Sequence, residues 1–262
     1  MTEVAMTERS PDERPFKLDR APIIEAVVDI DCDMPPNFDL QRLEEQIRNV
    51  FREDYPTLKK QFIQEHQIEQ KPNEPAVVSA RQGLGAILLF KDGALQLLQV
   101  RTNGFSFNRL APYSSLDDYL PEIRRTWRLF VDVTSPVRVR RVVLRYINRI
   151  MLPMEEGRVV LDHYLEIGPR LPDEGHLTFI NFLNQHTAIE AETGNLVKTT
   201  LTNQPAENGQ LPLIFDIEAM RAMDVEPDNW DIVEQAIISL RRLKNTVFKN
   251  TLSDRCLKLF QH

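Results

Sequence analysis

The chain has 262 residues, of which 42% are hydrophobic, and a formal net charge of -7. That is enough for one large domain or two ordinary ones with a real core, and the acidic balance argues against a general nucleic-acid binder. Two cysteines at opposite ends, Cys32 and Cys256, exclude a disulfide framework or a cysteine metal site, and no apolar run approaches the roughly 18–20 residues that cross a bilayer.

The first 16 residues are polar, charged and proline-bearing, with no signal-peptide core, and are expected to form a disordered tail. With few cysteines and no export signal, the expected location is the cytoplasm. Residues 22–33 alternate, with Ile24, Ala26, Val28, Ile30 and Cys32 on one side and Glu25, Asp29 and Asp31 on the other, as in a strand with one buried face. A helix is predicted over 38–54, with Asn37 or Asp39 as cap. Strands follow at 58–70, 85–92, 94–102 and 104–110, with turn signals at Asp92-Gly93 and Asn103-Gly104. Residues 71–83 read as a loop with room for a short strand at Val77-Val78. A helix starts near Asp117 or Asp118, because Pro121 is tolerated only in a first turn.

The run VRVRRVVLRYINRIMLP (137–153) is one long strand. Arg141, Arg145 and Arg149 share one face with Val143 and Ile147, and Val142, Leu144 and Tyr146 share the other. A short helix is predicted within 159–167 and strands at 176–186, 188–193, 195–203 and 211–220. The C-terminal helix, capped by Asp228, has a stripe of Ile232, Ala236, Leu240, Leu243 and Val247, and Ser253 caps a short helical tail. The element order predicts an α+β fold of two pseudo-duplicated β-α-β(3-4)-α halves, 17–135 and 136–262, integrated into one unit. Their sheets should be mostly antiparallel, with the helices on one face.

Between Arg101 and Arg149 there are ten basic residues against four acidic ones, a local +6 that leaves about -13 for the rest. Such asymmetry focuses potential locally. Arg141, Arg145 and Arg149 are therefore candidate ligands for phosphate or carboxylate. Their competing role is to pair with Glu25, Asp29 and Asp31, should the strands that open the two halves lie side by side. Arg109 and Tyr113, at a strand-to-helix junction, are further candidates. Carboxylates at alternate positions, Asp29 and Asp31 with Glu190 and Glu192, are the only candidate metal ligands, on the model of metal-dependent triphosphate hydrolysis. No nucleophile elbow, phosphate-cradling glycine loop or dinucleotide fingerprint is present.

Four motifs in order, PIIEAVVDI, GFSFNRLAPY, VVLRYINRIMLP and LRRLKNTVFKNTLSDRCLKLF, resemble those of a sporadically distributed, uncharacterised prokaryotic protein family. The resemblance spans about Ala21 to Phe260. It implies a single full-length unit in an accessory or defence-type role and brings no activity or catalytic residue with it. The expectation is a non-catalytic binding or regulatory protein without a cofactor, recognising an anionic small molecule or a protein partner and forming a homodimer. The alternative is a metal-dependent phosphoester or triphosphate hydrolase.

Overall fold

The computed structural model describes residues 18–69, 77–91, 93–172 and 176–261. The expected disordered tail and Asp92 of the first turn signal lie outside them. Nine strands form one antiparallel sheet: β1 (Ile23–Asp33), β2 (Thr57–Glu69), β3 (Val77–Lys91), β4 (Gln96–Arg101), β5 (Gly104–Leu110), β6 (Arg138–Pro153), β7 (Leu183–Ile189), β8 (Leu196–Asn203) and β9 (Gln210–Val225). Their order across the sheet is β2-β3-β4-β5-β1-β6-β9-β8-β7. The strands that open the two predicted halves are therefore neighbours, β1 and β6, with Val27 opposite Arg145 and Asp31 opposite Arg141. From this central pair outwards the order is β1-β5-β4-β3 on one side and β6-β9-β8-β7 on the other; among the described residues, only the first side has a further strand, β2.

The helices are α1 (Glu44–Phe51), α2 (Leu116–Thr134), α3 (Trp230–Thr251) and α4 (Asp254–Leu257). All four pack on one face, because only one parity of the central strands is apolar. Val28, Ile30, Phe105, Phe107, Leu144, Phe215 and Ile217 are buried beneath them. Trp127 of α2 stacks on Phe130 at 5.2 Å and meets Phe105 at 5.9 Å, while its Nε1 donates to the Pro227 carbonyl at 3.0 Å. Helices α2 and α3 run antiparallel, since Arg124 pairs with Asp231 at one end and Asp117 with Arg241 at the other.

Several boundaries differ from the sequence expectation. Residues 77–83, predicted as loop, continue β3, because that stretch pairs with β2 through the main chain. β7 replaces the two strands predicted at 176–186 and 188–193. The helix predicted within 159–167 is a single 3-10 turn, Leu161–His163, and α1 begins at Glu44 after a turn in which Asp39 accepts from the Gln41 amide. Helix α3 turns Val233 and Ile237 inward, leaving Ile232 exposed. Helix α2 starts at Leu116, placing Pro121 in its second turn. Ser115 Oγ caps it by accepting from the Asp117 amide at 3.2 Å. Ser115→Ala is expected to cost about 1 kcal/mol and lower the thermal midpoint by about 2–4 °C, which a melting curve followed by circular dichroism will read.

Candidate functional site

Beneath no described helix, the second face of the sheet carries the charges. One row runs Lys198, Glu218, Arg145, Val27, Asn108 across β8, β9, β6, β1 and β5. Each arginine of β6 on this face already holds a carboxylate. Arg141 donates to Asp31 through Nε at 2.7 Å and Nη2 at 2.6 Å. Arg145 forks onto Asp216 at 2.9 and 2.6 Å, and Arg149 reaches Glu207 at 2.6 Å and Gln204 at 3.2 Å. The Asp216 carboxylate raises the pKa of the Arg145 guanidinium further, against the opposing effect of burial.

The layer continues towards β4. Arg101 donates to Asp31 at 2.8 Å, Ser106 to Asp29, Asn108 to Glu25 at 2.8 Å and Gln99 to Asn108 at 3.1 Å. Ser106 and Asn108 are buried although no helix covers them. Of the two roles weighed for these arginines, Arg141 takes the expected partner Asp31, whereas Arg145 and Arg149 take Asp216 and Glu207 instead of Glu25 and Asp29.

The five predicted ligand residues do not come together. Arg109 lies two positions from Phe107 and so shares its helix-covered face, opposite Ala26. Its guanidinium sits 5.4 Å from the Tyr119 ring centre, and its buried Nε has no acceptor. Beside it the Tyr113 and Tyr146 hydroxyls share a hydrogen bond of 2.7 Å. Lys244 Nζ stands 4.0 Å from the centre of the Tyr146 ring, close to Arg241, which Asp117 holds at 2.6 Å. Burial pushes the Tyr146 hydroxyl up to about 12. It raises that of Tyr113 further, with the neighbouring Tyr146 adding to the effect. Burial, assisted by the charge of Arg241, lowers the Lys244 ammonium to about 7.

Tyr146 and Lys244 were absent from the sequence-based site. Both had a signal: each lies in one of the motifs quoted above, and Lys244 interrupts the inward face of α3 between Leu240 and Phe248. Arg109 and Tyr113 belong to a third motif, so three of the four motifs meet on the helix side of β1 and β6.

The four metal candidates do not lie together. Asp29 is on β1, whereas Glu190 and Glu192 follow the edge strand β7, four strand spacings away, or about 19 Å at ~4.8 Å each. Glu190 is engaged locally by Thr193 and by Asn195 Nδ2. Among the described residues no group of three or more His, Cys, Asp or Glu side chains is placed to hold a metal ion.

Cavities are small. One of about 10 Å³ is lined by Arg109, Tyr113, Tyr119 and Tyr146, which is space for about one water. A hollow of about 230 Å³ lies between the end of α2 and the start of α3, walled by Trp127, Arg128 and Trp230. Neither reaches the roughly 300–1,000 Å³ of metabolite pockets. No described helix is long and apolar enough to cross a membrane. No protein-family model and no curated protein matches the chain.

Proposed function

We propose that the protein is a cytoplasmic, non-catalytic binding protein of accessory or regulatory type, working as a homodimer, whose helix-free sheet face docks a protein partner. One observation carries this choice over a free anion: Arg141, Arg145 and Arg149 are each already bonded to a carboxylate. An anion would have to displace an internal partner at every position. A partner protein can instead lie over the balanced charges and use the apolar side chains between them, among them Ile147, Ile214 and Met220. The same balance gives nucleic acid no continuous basic track.

The test has two arms. A panel of nucleotides and phosphorylated metabolites is expected to leave the thermal midpoint of the wild type unchanged. A photo-crosslinking residue at position 200, beside Asp216 on this face, is expected to give a discrete protein adduct in cells that Arg145→Glu abolishes. An anion that stabilises the wild type but not Arg145→Ala would overturn the choice of a protein partner and restore the anionic ligand.

A further inference from the structure

The two edges of the sheet differ. β2 carries Lys59 and Lys60, charges that deter further strand pairing. β7, with the sequence LNQHTAI, has no lysine, proline or carboxylate. It also buries almost nothing: six of its seven residues are exposed, Leu183 at 72% and Ile189 at 67%. Ile180 just before it is 91% exposed, and Leu196 beside it on β8 is exposed as well. Helix α3 lies mainly over β6 and β9. On the opposite flank the equivalent place in the order, next to β3, is filled by β2. Among the described residues no strand pairs with the outer side of β7.

We propose that this place is taken by β7 of a second copy, the two strands pairing antiparallel about a two-fold axis at His186. The strand is written for that register. With His186 opposite its counterpart, Leu183 faces Ile189 of the second copy, Asn184 faces Ala188 and Gln185 faces Thr187, each pair occurring twice. Leu183, Gln185, Thr187 and Ile189 share one face, because their partners on β8 are Thr202, Thr200, Lys198 and Leu196. The pairing therefore places apolar side chains against apolar ones at both ends and polar against polar in the middle, with no charge to bury. Ile180 and Leu196 flank the strand and widen the contact beyond the main-chain hydrogen bonds. A two-fold contact is self-limiting, so it closes as a dimer. The idea gives the homodimer of the functional reading its surface and is independent of what the helix-free face binds.

Light scattering coupled to gel filtration is expected to show a dimer for the wild type and a monomer for Leu183→Lys/Ile189→Lys. Both substituted side chains are exposed within the single chain, so the variant should retain the wild-type circular dichroism spectrum. The register is read by cysteine crosslinking. His186→Cys should oxidise to a disulfide-linked dimer. Thr187→Cys should not, because its counterpart then lies two residues along the opposing strand, too far for a disulfide. The native thiols give little background, since Cys32 and Cys256 are both buried. A monomeric wild type would overturn the homodimer itself. A dimer that survives the double lysine variant would overturn the assignment to β7 while leaving the homodimer standing.

Discussion

Lys244→Met is expected to raise the thermal midpoint at neutral pH, by about 2–12 °C. The folded chain holds the Lys244 proton less tightly than an unfolded chain does, with a pKa of about 7 against a model value of 10.5. Between those values the unfolded state binds more protons, so wild-type stability rises with pH across that window. The penalty for burying the ammonium is fully present below about pH 7 and gone above about 10.5. Its full size would be a few kcal/mol. The partial exposure of the side chain and the loss of its contact with the Tyr146 ring, worth about 1 kcal/mol, reduce the net gain to about 1–3 kcal/mol. At about 2–4 °C per kcal/mol for a chain of this size, that is the rise stated. The gap between variant and wild type should close as the pH approaches 10. A lower midpoint for the variant at pH 7, or a gap indifferent to pH, would contradict the assignment.

The neighbouring charges do not change the sign. Arg241 repels the ammonium, Asp117 is spent on Arg241, and the tyrosine hydroxyls bond to each other. At pH 7 roughly half of such amines are neutral. A buried lysine with a lowered pKa beside two buried tyrosines is a candidate for a functional role. This makes the cluster of Tyr113, Tyr146 and Lys244 the second place, besides the helix-free face, where substitutions should be tried against function.

How much of this was legible follows from what each residue had to reveal. β1, β5 and β6 alternate over much of their length, so their limits can be read from the sequence to within a residue, and the opposite charges of β1 and β6 are the reason to weigh them as neighbours. The same alternation, carried along β5, would have put Arg109 on the side of Phe105 and Phe107 and away from the β6 arginines. β3 before residue 85 reads as a loop with at most a short strand at Val77-Val78, because its pairing with β2 rests on main-chain hydrogen bonds, which leave no side-chain pattern. β7 was split in two because its polar centre, Gln185-His186-Thr187, breaks any apolar period. The partners of Arg145 and Arg149, Asp216 and Glu207, could not be chosen without the order of the strands: 71 and 58 residues separate the pairs. Lys244 above Tyr146 needed that order too, since only the placement of α3 over β6 joins them.

Asp31→Asn is expected to destabilise the fold by about 2–3 kcal/mol, whereas Arg141→Ala should cost no more than about 1 kcal/mol, although both break the same ion pair. The difference lies in what is left behind. Asp31 is 13% exposed and receives Arg141 from β6 and Arg101 from β4, so it ties three neighbouring regions of the sheet. Its amide replacement would turn an NH₂ group towards one of the two guanidiniums. Arg101, 21% exposed and with a buried Nε that has no acceptor among the described residues, would keep the Phe105 carbonyl at 3.2 Å but, of its carboxylates, only Asp29, at 3.7 Å. An underpaired, half-buried charge costs far more than an exposed pair contributes. Arg141, by contrast, is 51% exposed and returns to water when Asp31 is lost. Urea titration should show the difference as a shift of midpoint at constant slope. Adding Arg101→Met to Asp31→Asn should cost at least about 1 kcal/mol less than the sum of the single changes. Strict additivity would mean that Arg101 and Asp31 act independently, and the charged layer would then be a set of separate surface pairs rather than one connected face.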